Sequence, residues 1–164
     1  MVGLHIKVML KEIIIRRAHA GDRSFIISLA RRFAEFPLPS WREAVQIREG
    51  TSRVLEAAIY SEEEAIAVLM AEDSEGRKLG FVHLQTHTDF FTGEAYGHVS
   101  ELAVIEEAEG RGAGSMLMSA AEQWAKEKGY RQLSLNVFTE NEKARRMYER
   151  LGYEPEVIRY VKPL

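Results

Sequence analysis

Three glycines set two apart, Gly110, Gly112 and Gly114, stand where a strand-like run passes into a helix-like one. Without side chains at those positions, successive backbone N–H groups can converge on one point. If a helix begins there, its first four N–H groups are unpaired and its dipole is positive. A phosphate suits such a place. The spacing alone leaves other readings open. A P-loop needs a lysine to reach the outer phosphates, whereas Ser115 directly follows Gly114. A Rossmann loop wants one more glycine at position 115 and an acid about 20 residues on. Glu140 stands at a strand end, but the chain after it is too short to complete that nucleotide-binding half. A tight strand-to-helix connection that binds nothing also satisfies the glycines.

Other chemistry-bearing residues flank this loop. His98 has the strand parity of Ser100, Leu102 and Val104, while Glu101 has the opposite parity. His83 and His87 share a strand face, but residues four apart in a strand lie about 13 Å apart, too far for one ion. No metal site is expected. The chain has no cysteine, which excludes disulfides, thiolate zinc sites and a cysteine nucleophile. Lys143, Arg145 and Arg146 read as a solvated helix face, so Arg111, inside the loop, is the better partner for a phosphate.

The elements that must hold these residues can be traced along the chain. Lys11 to Ala18 is a buried first strand. A helix follows Asp22, with Phe25, Ile26, Leu29, Ala30 and Phe33 apolar, until Pro37 and Pro39 break it. Ser40 and Glu43 form a capping-box pattern that opens a second helix, weakened at Gly50. The proline break between the two is a candidate substrate lip or a plain connection. Ala65 to Ala71 reads as a central strand, and Asp73–Arg77 as a turn into a strand at Leu79–Thr88. A turn at Asp89–Glu94 leads to the strand before the glycines.

After the loop, Ala113, Met116, Leu117, Ala120, Ala121, Trp124 and Ala125 repeat at helical spacing, and Gly129 ends that helix. Leu133, Leu135 and Val137 alternate with polar neighbours as a strand does. Asn141 caps a helix with Ala144, Met147, Tyr148 and Leu151 on one face, and Tyr153 to Val161 makes a last strand.

A chain of 164 residues with 46% apolar content suits one domain spanning 1–164, with 1–10 as a possible N-terminal extension. That opening stretch is apolar but lacks a signal-peptide cleavage site, and no segment reaches the length of a membrane span. A cytoplasmic protein is expected, with neither membrane nor nucleic acid as partner, since a net charge of −3 offers no basic stripe.

Leu102-Ala103-Val104 followed by Glu109-Gly110-Arg111-Gly112-Ala113-Gly114 resembles the acetyl-coenzyme A loop of the GNAT N-acetyltransferase superfamily, Gln/Arg-x-x-Gly-x-Gly/Ala after a Leu-Ala-Val-like strand end. Asn141 to Tyr153 resembles that family's Asn-x-x-Ala-x-x-x-Tyr-x-x-x-Gly-Phe segment. Together they cover residues 96 to 155. Glu109 departs from the pattern by placing an acid where Gln or Arg is usual, which is expected to weaken pyrophosphate binding slightly. The order β-α-α-β-β-β-α-β-α-β is the GNAT order. It implies an α/β (α+β) fold with a mixed sheet flanked by about four helices.

The resemblance further implies direct transfer of acetyl from acetyl-CoA to a small-molecule or peptide primary amine, through a tetrahedral intermediate. The implied cosubstrate contacts are Leu102, Val104, Gly110, Arg111, Gly112, Ala113, Gly114, Ser115, Asn141, Ala144 and Tyr148. An alkyl ammonium has a pKa near 10, so a base is needed. His98 and Glu101 both fall where family members carry acids or bases, and His98 is preferred because it shares parity with Val104. Backbone N–H near Val104 would polarise the thioester carbonyl. Tyr148 corresponds to the family tyrosine that approaches the cofactor sulfur, though a core tyrosine fits its apolar stripe as well. The competing class is a non-catalytic acyl-CoA-binding sensor module. A homodimer is compatible with the resemblance.

Overall fold

Five strands, ordered β1-β2-β3-β4-β5, form the single sheet of the computed structural model, which describes residues 12–164. The strands are β1 (Ile13–Arg17), β2 (Ile66–Asp73), β3 (Lys78–Thr88), β4 (Ala95–Val104) and β5 (Leu133–Leu135). The first three pairings are antiparallel and β4–β5 is parallel. This is the mixed sheet expected, with the helix between β4 and β5 carrying the crossover that makes their pairing parallel. The apolar arm at residues 1–10 lies outside the described residues.

Four α-helices cover the two faces: α1 (Arg23–Ser28), α2 (Ala44–Ile59), α3 (Ala113–Glu127) and α4 (Glu142–Arg150). One face packs Val68, Met70, Phe81 and Ala103 under Ile26, Leu29 and Leu55. The other packs Val82, Leu84 and Val99 under Leu117, Met118 and Ala121 of α3. None of the helices among the described residues is long and apolar enough to cross a membrane.

Several local expectations are corrected. The first helix is α only to Ser28 and tightens to a 3-10 helix at Leu29–Ala34. Ser28 Oγ donates to the Phe25 carbonyl at 2.6 Å, and such back-bonding draws a carbonyl out of the α ladder. The Ser40–Glu43 capping box does not form, because a turn from the Pro39 carbonyl to the Arg42 N–H delays α2 to Ala44. A capping box appears instead at His19 and Asp22, where the chain leaves β1. The helix runs through Gly50 unbroken.

Tyr153 to Val161 adopts no strand and makes no ladder. Pro155 lacks an N–H, and β5, only three residues long, offers little edge to pair with. Asn141 does cap α4, its Oδ1 accepting from the Ala144 N–H at 3.3 Å.

Candidate functional site

From the end of β4 the chain makes a 3-10 turn at Glu106–Ala108 and reaches the glycines. Gly110 and Gly112 have φ of 68° and 91°, in the left-handed region that side chains resist. A Cβ on either would meet nothing within 4 Å, so the space above them is open. Gly112 is the N-cap of α3 and supplies no side chain to its first turn, which leaves the N–H groups of Ala113, Gly114 and Ser115 without intrahelical acceptors. Arg111 is exposed in this loop and forms no ion pair among the described residues. The open cradle, free amides and cation fit a diphosphate. Gly114 has a different reason to be small: a Cβ there would lie 3.2 Å from Met147 Sδ, so this glycine lets α4 pack close to α3.

Glu109, the acid that departs from the family pattern, is paired on both sides. Its carboxylate is bridged by Arg32 of the Leu29–Ala34 helix and by Lys143 of α4. Burial raises its pKa, but the Lys143 hydrogen bond and the Arg32 charge outweigh that and hold it below the usual carboxylate range. The acid therefore does not face the cradle as a bare charge. Arg32, unnoticed in the sequence, also donates to Glu35 at 2.7 Å. Arg145 and Arg146 turn to the Thr139 carbonyl and Glu142, as a solvated helix face does.

His98 does not share a sheet face with Val104 in the folded chain. His83 pairs with Glu101, but the next residue, Leu84, pairs with Val99, so Ser100 is an extra residue in β4. Such a bulge reverses the alternation beyond it. Leu102 and Val104 therefore share the α3 face with Val99, whereas His98, Glu101 and Ala103 share the face under α1 and α2. His98 and Glu101 are brought together, and neither lies on the face of Val104.

His98 is buried, with Nδ1 2.7 Å from Ser134 Oγ and its ring stacked on His87 at 4.4 Å. Burial, aided by the neighbouring His87 and His83, lowers its pKa to about 4. Glu101 is partly exposed, and its Oε2 lies 2.6 Å from Nδ1 of the fully buried His83. His83 carried no role in the sequence reading beyond a rejected metal site.

On the opposite face, Leu102, Val104 and Tyr148 pack against one cluster under α3. The half-buried Tyr148 ring meets Tyr153 edge-on at 6.1 Å, and its hydroxyl forms no hydrogen bond among the described residues. Burial pushes that hydroxyl's pKa up to about 12. Asn141 and Ala144 are spent on each other at the start of α4. Between the two faces the sheet opens. β5 pairs only with Gly97, His98 and Val99, so among the described residues no strand lies beside the outer edge of β4 from Ser100 to Val104. Gly80 admits the close approach of β3 on the inner side, where a Cβ would lie 2.5 Å from the Ala103 carbonyl oxygen.

A family model described as the acetyltransferase (GNAT) family matches residues 29–153. An uncharacterized N-acetyltransferase of Bacillus subtilis, YhfO, is 32% identical over 87% of this chain and 90% of its own length. The mycothiol acetyltransferase of Rhodococcus jostii is 31% identical over 70% of this chain, which spans only 36% of that larger protein. Among solved structures, the aminoglycoside N-acetyltransferase AAC(6')-Iy in complex with CoA superposes with a TM-score of 0.69 at 19% identity, covering 94% of this chain and 97% of that one.

Proposed function

The chain belongs to the acetyltransferase (GNAT) family and is an acetyltransferase enzyme, and from that premise we propose that it moves acetyl from acetyl-CoA directly to a primary amine across the gap beside β4. The observation that carries this reading is the opening of the sheet from Ser100 to Val104. One face of that gap carries the glycine cradle, Val104 and Tyr148; the other carries Glu101 and His98. A thioester lying in the gap is reachable from both sides, so the cosubstrate enters from the α3 face and the amine from the α1–α2 face.

The cradle from Gly110 to Ser115 holds the pyrophosphate through backbone N–H groups, assisted by Arg111. The β4 edge at Leu102 and Val104, free of a partner strand, offers backbone groups to the arm and carbonyl of the thioester. At neutral pH an alkyl amine arrives as ammonium. Glu101 is the group suited to receive it, since a carboxylate attracts the cation and accepts its proton. His98 is less suited: it is buried, engaged by Ser134, and uncharged well below neutrality. Tyr148 meets the departing sulfur from the cosubstrate side.

Thiol release from acetyl-CoA with a panel of amines tests the reading. An accepted amine should give turnover that Glu101→Gln lowers far more than His98→Ala. No release with any amine, alongside intact coenzyme A binding, would instead identify an acyl-CoA-binding module.

A further inference from the structure

We propose that His83 is a positioning residue for the reaction, its Nδ1–H fixing Glu101 so that one carboxylate oxygen is presented to the amine. This rests on the proposed role of Glu101. The two residues are direct cross-strand partners, and Nδ1 lies 2.6 Å from Oε2. An ionised carboxylate can only accept, so the imidazole proton of the pair resides on Nδ1. That leaves Nε2 without a partner among the described residues.

The remainder of the ring shows what this arrangement costs. His83 is wholly buried, and its Nε2 is without a hydrogen-bond partner among the described residues. A histidine serving only to fill space would waste this polar atom, because a buried acceptor left unpaired is unfavourable. An aliphatic side chain would pack there without that penalty. Val68 stands opposite His83 on β2 and Glu101 opposite on β4, on the sheet face whose core holds the uncharged Ile26, Leu29 and Leu55. Elsewhere on this face His98 and His87 stack on one another, Tyr96 meets His87 edge-on, and Arg16, Glu72, Asp22 and Lys78 are paired among themselves. Arg32, from the Leu29–Ala34 helix, is occupied by Glu35 and Glu109. The Ser100 bulge adjoins the pair and turns Glu101 onto this face. His83 thus fixes a carboxylate that otherwise would sweep the edge of the gap.

A hydrogen bond to the ionised carboxyl favours that form. The test measures kcat and KM across pH for the parent, His83→Leu, His83→Asn, His83→Gln and Glu101→Gln. The asparagine amide can place an N–H where Nδ1–H stood, whereas glutamine reaches toward the Nε2 position. His83→Leu and His83→Gln should lower kcat on the order of tenfold and leave KM for acetyl-CoA unchanged. His83→Asn should restore kcat. Parental kcat in His83→Leu would overturn the proposal, as would His83→Asn behaving like His83→Gln. If His83→Leu does not fold, the asparagine–glutamine comparison decides. Glu101→Gln with parental kcat would instead remove the base reading, and the positioning role with it.

Discussion

Removing one oxygen from Tyr148 probes the departing side of the reaction. Burial places the phenol pKa at about 12, while a free thiol titrates near 8.5. The gap of roughly 3.5 units makes complete proton transfer from phenol to thiolate uphill by about 5 kcal/mol. In the proposed reaction Tyr148 would therefore act by donating a hydrogen bond to the developing thiolate, without surrendering its proton at that stage. A hydrogen bond to a charged group contributes about 1.5–3 kcal/mol, which corresponds to roughly 10- to 150-fold in kcat. Tyr148→Phe keeps the ring that meets Tyr153 at 6.1 Å and orphans no partner among the described residues, since the hydroxyl has none there. Its melting temperature and coenzyme A affinity should match the parent. Thiol release at saturating amine reads the kcat loss. Parental kcat would refute the role. A basic limb near pH 8 to 9 in the parent that vanishes in Tyr148→Phe would refute the pKa argument, because the phenol would then be titrating in the working range.

Gly112→Val forces a β-branched residue to φ of 91° and fills the open cradle; calorimetry should show coenzyme A binding lost, with the fold destabilised by only about 1–2 kcal/mol. Glu109→Gln frees the exposed Lys143 from its bridge and should tighten coenzyme A binding by roughly twofold to tenfold at low salt, a gain that high salt erases; weaker binding would mean that the bridge supports the loop. Asp22 is fully buried, accepts from Arg16 at 2.7 and 2.9 Å, and lies 2.8 Å from Lys78. Asp22→Asn should cost on the order of 3 kcal/mol in denaturant unfolding. The Arg16 hydrogen bonds hold the Asp22 carboxyl well below the usual range. Its stabilisation is therefore complete above the unfolded pKa near 4 and fades as pH falls, so parent and variant should converge in acid.

What the chain reveals by itself about this enzyme is local. Helical spacing from Ala113 to Ala125, the Asn141 cap, and turns at Asp73–Arg77 and Asp89–Glu94 depend on neighbours within a few residues, and the structure has all of them. The glycine cradle was legible for the same reason, because Gly110 and Gly112 act through their own φ angles. Tertiary structure decided whatever depended on a distant partner. Alternation along a strand counts residues, and only pairing with β3 shows that Ser100 is one too many, which carried His98 away from the face of Val104. The cations that neutralise Glu109 come from Arg32 and Lys143, far away on both sides in sequence. Gly114 answers to Met147 on another helix. His83 acquired its meaning only when β4 laid Glu101 across from it, since nothing near His83 in the sequence marks which carboxylate a cross-strand register will deliver.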